Sequence, residues 1–281
     1  MRWTTLVSAE DLHAARGHDD LFVLDARVAL GDRAAGPALY RASHVPGALH
    51  ADLEADLSDM SASGQGRHPW PRTADFLARL ESWGVSRDSQ VVVYDAGDGA
   101  LAAARAWFLL RALGHARVAV LDGGFAHWNA SGLPVESGDV NARPGVYEAS
   151  FDGARLLDAD AVQTHLDRGG LLIDARAAER FRGEVEPLDR VAGHVPGAVN
   201  RPYTSNLRDG RFKPAVELAD EFNALLAGRS PSDVALMCGS GVTACHHLLA
   251  MEHAGLPGAK LFTGSWSGWL ADGTRAIATG D

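Results

Sequence analysis

An internal repeat constrains the fold of this chain most strongly, because four sequence blocks recur in the same order about half the chain length apart. The repeated blocks pair residues 23–27 with 172–176, 43–48 with 193–198, 91–95 with 234–238, and 122–125 with 263–266. Ordered self-similarity of this kind is the mark of a duplicated structural unit. The sequence therefore predicts two copies of one fold, which we place at residues 1–140 and 141–281.

Each copy alternates short apolar runs with longer stretches of helical periodicity. The runs at 91–94 and 234–237 are continuously apolar, which is typical of strands buried on both faces of a parallel sheet. The expected helices cover residues 73–83, 100–113, 159–168, 215–226 and 243–254. This alternation predicts an α/β class in which each domain has a mainly parallel sheet flanked by helices on both faces.

Composition and charge exclude several classes of partner. The chain has 281 residues, 46% of them hydrophobic and 22% charged, as expected of a globular protein. Its formal net charge of −10 disfavours binding to nucleic acid or to an anionic membrane. The first residues lack a signal-peptide pattern, and no apolar run approaches the roughly 18 residues of a membrane span. We therefore expect a cytoplasmic protein.

The two cysteines, Cys238 and Cys245, do not form an evident structural pair. On one helix their spacing would separate them by roughly 10 Å, whereas a disulfide needs Cα atoms within about 7 Å. A structural zinc site would need a second pair of ligands. The remaining alternatives are a reactive thiol or two inert core thiols.

The loop that follows Cys238 favours a reactive thiol. Cys238 ends an apolar run, and a Gly-Ser-Gly turn then leads into a helical pattern. Ligands bind at such strand ends in open α/β sheets. Small residues let backbone N–H groups form an anion nest, and the helix N-terminus adds partial positive charge. Although a free cysteine is often only a small core hydrophobe, this setting predicts a thiolate that can carry a persulfide.

The repeat itself indicates that only one copy is catalytic. The position equivalent to Cys238 in the first copy is Asp95. A carboxylate there repels anions and cannot act as a sulfur nucleophile. The first domain is therefore expected to be non-catalytic.

These motifs resemble the tandem rhodanese family of sulfurtransferases over nearly the whole chain. The segment 238–243, Cys-Gly-Ser-Gly-Val-Thr, is similar to the active loop of the 3-mercaptopyruvate sulfurtransferase type. The resemblance implies transfer of sulfur from 3-mercaptopyruvate to cyanide, a small thiol or a thioredoxin-like protein. It implies neither a metal nor an organic cofactor.

The alternative donor is thiosulfate, with cyanide as acceptor. Thiosulfate-preferring relatives typically carry basic residues at the second and third loop positions, where this chain has Gly239 and Ser240. A dianionic donor benefits from a fixed cation beside the cysteine. Mercaptopyruvate carries its single charge on a carboxylate remote from the sulfur.

The resemblance also implies a set of site residues. Arg180 and Arg190 are expected to bind the donor, and Ser240 is expected to act with His44 and Asp32 of the first domain. The loop backbone is expected to contribute through Gly239, Gly241, Val242 and Thr243. The segment at 66–70, Gly-Arg-His-Pro-Trp, departs from the family pattern. Whether Arg67 or His68 takes part therefore stays open.

Two other classes remain as competing interpretations. A cysteine in an anion nest also describes protein phosphatases, which need an arginine six positions after the cysteine. Ala244 occupies that position, so phosphatase activity is disfavoured. A non-catalytic binding module suits the first domain, where Asp95 replaces the cysteine, better than the second.

Overall fold

A computed structural model describes residues 2–29 and 31–281 of the chain, which form two compact units. The first comprises the chain up to Ser58, Pro71–Asp152 and Asp209–Phe212. The second comprises Asp59–Trp70, Gly153–Arg208 and Lys213–Asp281. Residues 140 and 141, the expected boundary, both lie inside the first unit. Hydrogen bonds join the following segment to the first unit, among them Gly145 N–H to the Glu81 carbonyl and Asp152 N–H to the Ala112 carbonyl, both at 2.8 Å.

The first unit is built on a five-stranded parallel sheet with the strand order β1-β5-β4-β2-β3. Its strands are β1 (Leu6–Val7), β2 (Leu21–Asp25), β3 (Leu49–His50), β4 (Gln90–Tyr94) and β5 (Val118–Leu121). Its helices are α1 (Ala9–Ala15), α2 (Ala35–Ala42), α3 (Thr73–Ser82), α4 (Ala102–Ala112) and α5 (Gly124–Ala130). Every residue of β4 is buried, as its β-branched valines predict.

The second half of the chain repeats this topology. Its strands are β6 (Leu156–Leu157), β7 (Leu171–Asp174), β8 (Val199–Asn200), β9 (Leu207–Arg208), β10 (Arg211–Phe212), β11 (Val234–Met237) and β12 (Lys260–Phe262). Its α-helices are α6 (Ala159–Asp167), α7 (Ala178–Phe181), α8 (Ala215–Leu226), α9 (Ala244–His253) and α10 (Ser265–Trp269). Three 3₁₀ turns lie at Gly153–Arg155, Tyr203–Asn206 and Pro231–Asp233.

The sheet of the second unit has the order β6-β12-β11-β7-β8, again with every pairing parallel. This is the order of the first sheet, element for element. The predicted class of two α/β domains with parallel sheets is thereby confirmed. The five helices predicted from periodicity also exist, with ends within two residues of those expected, the usual uncertainty of helix ends.

The core of the second unit lies directly beneath the end of β11. Met237 packs there with Phe262, Trp266 and Trp269, all essentially buried. Truncating such a buried aromatic side chain to alanine typically costs about 3–5 kcal/mol. The strand end that carries Cys238 is therefore a rigid support.

No helix in the described residues is long and apolar enough to cross a membrane.

Candidate functional site

Cys238 lies at the carboxyl end of β11, where the chain turns toward α9. The residue is 3% exposed and its thiol is free. In the described part of the chain, the N–H groups of Ser240, Val242 and Thr243 donate to no other residue. Those donors remain available to an anion at the loop.

The backbone of Cys238 is held from the opposite side by the start of α10. Its N–H donates to the hydroxyl of Ser265 at 3.0 Å, and its carbonyl accepts from Trp266 N–H at 3.0 Å. Ser265 adopts a left-handed conformation with φ of 50°, which is uncommon for a residue with a side chain. Its hydroxyl also donates to Phe262 at 3.0 Å. This arrangement fixes the main chain of the nucleophile.

Ser240, two residues beyond Cys238, has a histidine partner within the same unit. The Nδ1 atom of His68 lies 2.8 Å from the Ser240 hydroxyl. Ser240 is 7% exposed and His68 is 9% exposed, so bulk water competes little for this hydrogen bond. A serine–histidine pair of this kind can move a proton.

His68 reaches Ser240 because residues 59–70 form part of the second unit. Arg67 N–H donates to the hydroxyl of Ser267 at 3.0 Å, and Ser267 N–H donates to the carbonyl of Gly239 at 2.9 Å. The segment is therefore joined by hydrogen bonds to the residue that follows Cys238.

Arg180 lies on α7 beside the same loop. A Cβ placed on Gly239 would lie 3.7 Å from the Arg180 Nη2 atom. The guanidinium donates to Glu186 at 2.7 Å, and its Nη2 atom lies 3.6 Å from the Asp189 carboxylate. The Arg180 guanidinium therefore lies at van der Waals distance from the Cβ position of the residue that follows the cysteine.

Glu186 keeps Arg180 in place and is itself held as an anion. Burial opposes its ionisation, but hydrogen bonds from Arg180 and from the N–H groups of Leu188 and Asp189 more than offset burial. The pKa of Glu186 is therefore lowered from its ordinary value. Arg180 has a permanently charged partner at neutral pH.

Comparison with known proteins identifies the family of the chain. The model of the Rhodanese-like domain matches residues 8–131 and again residues 158–272. The chain belongs to the rhodanese family. A Pseudomonas aeruginosa relative, provisionally named a 3-mercaptopyruvate sulfurtransferase, is 50% identical over 280 residues, 98% of each chain. A Mycobacterium tuberculosis relative, provisionally named a thiosulfate sulfurtransferase, is 40% identical over 289 residues, 99% of this chain and 98% of the relative.

Solved rhodanese structures share the architecture. The crystal structure of SseA from Escherichia coli, described with the 3-mercaptopyruvate sulfotransferases, has a TM-score of 0.79 and 36% identity. The match covers 94% of this chain and 100% of SseA. Both copies of the rhodanese repeat are therefore present.

Two residues expected at the rhodanese site make local contacts in the first unit. Asp32 is exposed, and its carboxylate accepts from Ala34 N–H at 3.0 Å just before α2. His44 is completely buried, stacks on Tyr40 at 4.3 Å, and bonds the Tyr40 carbonyl through Nδ1 at 2.8 Å. Their catalytic roles stay predictions.

His194, the repeat counterpart of His44, makes matching contacts in the second unit. It stacks on Phe181 at 3.8 Å, and its Nδ1 atom lies 2.8 Å from the Phe181 carbonyl. Because His44 and His194 make the same kind of contact, each of them anchors the His-Val-Pro-Gly turn of its own repeat.

Arg190, the second arginine expected at the site, points its guanidinium at the Leu270 carbonyl. Its Nη2 atom lies 3.9 Å from a Cβ placed on Gly273. No atom of Arg190 is among the three nearest to a Cβ on Gly239. The structure brings Arg180 to the loop and gives Arg190 a structural partner.

The remaining singled-out residues are part of the core. Cys245 is fully buried, and its thiol donates to the Gly241 carbonyl at 3.4 Å. His246 and His247 are also fully buried, and both bond Asn206 through Nδ1 at 2.9 Å. Burial and the nearby Arg201 charge lower the pKa of His247 to about 3, so it stays neutral.

The Asp-Ala-Arg segments within the repeated blocks 23–27 and 172–176 form buried ion pairs at the strand ends. Arg176 reaches Asp174 at 2.6 Å, and Arg27 reaches Asp25 at 2.6 Å. Among residues 2–29 and 31–281, no group of three His, Cys, Asp or Glu side chains is arranged to hold a metal ion.

Proposed function

We propose that this protein transfers the sulfur of 3-mercaptopyruvate to an acceptor through a persulfide on Cys238. The observation that carries the donor assignment is the Ser240–His68 hydrogen bond of 2.8 Å beside the nucleophile. Mercaptopyruvate leaves as a basic enolate that must be protonated, whereas thiosulfate leaves as sulfite, a stable anion. A proton relay at this loop is useful for the first donor and superfluous for the second.

The first half-reaction is a displacement at sulfur. The Cys238 thiolate attacks the donor sulfur and forms the S–S bond, while the donor C–S bond breaks. The electron pair of that bond remains on the three-carbon fragment as the pyruvate enolate. The outer sulfur keeps its hydrogen, so the enzyme carries Cys–S–SH.

Protonation of the enolate carbon completes pyruvate. Ser240 lies within the loop and donates the proton, and His68 restores it through the Nδ1 contact of 2.8 Å. The Arg180 guanidinium, beside Gly239, stabilises the negative charge that develops on the keto oxygen. This version of the relay uses His68 where the resemblance suggested His44.

The second half-reaction removes the outer sulfur. Cyanide, a small thiol or a thioredoxin-like protein attacks it and regenerates the Cys238 thiolate. Both cysteines are free, which suits a reducing compartment, and we place the reaction in the cytoplasm. Neither half-reaction requires a metal or an organic cofactor.

The test compares two donors with one acceptor. Pyruvate release from mercaptopyruvate and thiocyanate formation from thiosulfate are measured at fixed cyanide. We expect kcat/KM to favour mercaptopyruvate at least about tenfold, equal to about 1.4 kcal/mol of transition-state stabilisation. Intact-mass analysis after donor alone should show one added sulfur. Equal or faster turnover of thiosulfate would overturn the donor assignment.

A further inference from the structure

Residues 66–68 lie against the active loop more closely than their position in the sequence suggests. Gly66 has a φ of +96°, and a Cβ there would lie only 2.6 Å from the Gly264 carbonyl. Only glycine fits this approach. The close packing fixes the direction in which the next side chain, Arg67, leaves the main chain.

The Arg67 guanidinium lies beside the residue that follows the nucleophile. A Cβ on Gly239 would be 2.8 Å from Arg67 Nη2, closer than the 3.7 Å to Arg180 Nη2. Both guanidinium groups therefore lie close to the same loop position. Their side chains are 31% and 18% exposed, so a small anion can reach both.

One carboxylate connects the two arginines. Asp189 forms an ion pair with Arg67 and lies 3.6 Å from Arg180 through its Oδ2 atom. This Oδ2 atom is buried and accepts no hydrogen bond within the described residues. Asp189 thus holds the pair together at close range while leaving their other N–H groups for a ligand.

Arg67 and Arg190 line one cavity of about 340 Å³, together with Asp189 and Ser267. The lining residues of this cavity do not include Arg180 or residues 238–243, so the cavity shows that Arg67 borders open space. Arg190 is occupied by the Leu270 carbonyl, whereas Arg67 faces Gly239. Arg67 is therefore the arginine nearest to the Cβ position of Gly239, although the sequence motifs did not predict it as a donor-binding residue.

We propose that Arg67, in place of Arg190, is the second donor-binding residue and holds the carboxylate of a 2-oxo acid together with Arg180. This inference rests on the proposed function. Guanidinium groups bind a carboxylate through paired N–H donors. Arg67 and Arg180, both close to Gly239, together supply enough donors for a carboxylate and an adjacent keto oxygen.

The matched variants are Arg67→Met and Arg190→Met, assayed for pyruvate release over a range of mercaptopyruvate concentrations. Arg67→Met should raise KM at least tenfold and lower kcat less, because the lost contact is made to the bound donor. Arg190→Met should change KM less than threefold. An unchanged KM in Arg67→Met, or a larger increase in Arg190→Met, would overturn the proposal.

A binding measurement separates this inference from the proposed function. Pyruvate is titrated calorimetrically into Cys238→Ser protein with and without Arg67→Met. Loss of pyruvate binding only with Arg67→Met supports the inference even if the native enzyme fails to release pyruvate from mercaptopyruvate. If Arg67→Met does not fold, Arg67→Lys replaces it. That variant keeps the charge but loses the paired donors, and it should weaken pyruvate binding at least threefold. Unweakened binding would refute the role.

Discussion

The loops after β4 and β11 occupy the same place in the two repeats, yet they treat an anion in opposite ways. In the second unit, Trp266 and Ser267 donate to the carbonyls of Cys238 and Gly239 at 3.0 and 2.9 Å. In the first, the equivalent bonds reach the carbonyls of Asp95 and Ala96, both at 2.9 Å. The scaffold of both loops is the same.

The difference lies in what fills the loop. The Asp95 carboxylate accepts from the N–H groups of Gly97, Gly99 and Leu101 at 3.1, 3.0 and 3.2 Å. The first loop thus contains its own anion. In the second loop, the N–H groups of Ser240, Val242 and Thr243 donate to no acceptor within the described residues. The comparison teaches that the same loop scaffold can enclose a carboxylate of its own, as at Asp95, or leave several N–H groups without an acceptor, as after Cys238.

The largest effect should come from the strand-end side chain itself. Cys238→Ser should abolish sulfur transfer, by more than about 10³-fold, because a hydroxyl cannot form a persulfide. Cys245→Ser should retain most activity, since that thiol is fully buried in α9. Pyruvate release and intact mass measure both. Comparable losses of sulfur-transfer activity in Cys238→Ser and Cys245→Ser would show that Cys238 is not the single nucleophile that distinguishes the second loop from the first.

The next effect distinguishes the two candidate histidines. His68→Gln should lower kcat about 10²-fold, the usual contribution of a positioned proton donor. His44→Gln should lower the melting temperature instead, because it loses the Tyr40 stacking and carbonyl contacts. Steady-state rates per folded molecule, with thermal unfolding as a control, compare them. If His44→Gln shows the greater loss of kcat, the relay belongs to the first unit.

A smaller effect is expected where the two loops differ in their supporting residue. Ser265 corresponds to Gly124, whose φ is 56°. Ser265→Gly removes one hydrogen bond to Cys238 N–H, worth about 0.5–1.5 kcal/mol, so kcat/KM should fall up to about tenfold. The reverse change, Gly124→Ser, should destabilise the protein, because its Cβ would lie 2.6 Å from the Gly97 carbonyl. A stable Gly124→Ser protein would contradict the steric difference between the loops.

The smallest effect on activity is expected for Asp95→Asn. Burial, followed by the Asp98 charge, raises the pKa of Asp95 to about 6. A carboxyl group with a raised pKa stabilises the fold most below its unfolded value, and this contribution is lost as the pH rises through about 6. Between pH 4 and pH 7, the free energy of unfolding of the native protein should fall by on the order of 2–3 kcal/mol relative to that of Asp95→Asn. Urea unfolding at both pH values measures this difference. Parallel curves would mean that Asp95 titrates normally.

The repeat and the apolar runs were sufficient to predict the fold, because both are local or periodic properties of the sequence. The strand end at Cys238 followed for the same reason. Hydrogen bonding then explains what local patterns missed: His68 and Ser240 are 172 positions apart. The hydrophobic periodicity of the sequence does not indicate that residues 59–70 belong to the second unit.

The arginines show the same limit. The family resemblance predicts Arg190 at the site, but a resemblance in sequence does not record the Leu270 carbonyl that accepts from its guanidinium. Arg67 lies in a segment without a recognisable motif, so only its three-dimensional position beside Gly239 identifies it. Ser265 was seen as part of a repeated block, but its left-handed backbone could not be inferred from that block.

Each half of the chain contributes a short segment to the other unit, residues 59–70 to the second and residues 209–212 to the first. This division limits how the chain can be truncated. A polypeptide that started at Gly153 would contain Cys238 and all five strands of the second sheet. It would not contain residues 59–70, which also belong to the second unit. It would lack Arg67 and His68. Deletion of the first repeat would therefore also remove the two side chains that lie against the loop after Cys238, namely Arg67 beside Gly239 and His68 beside Ser240.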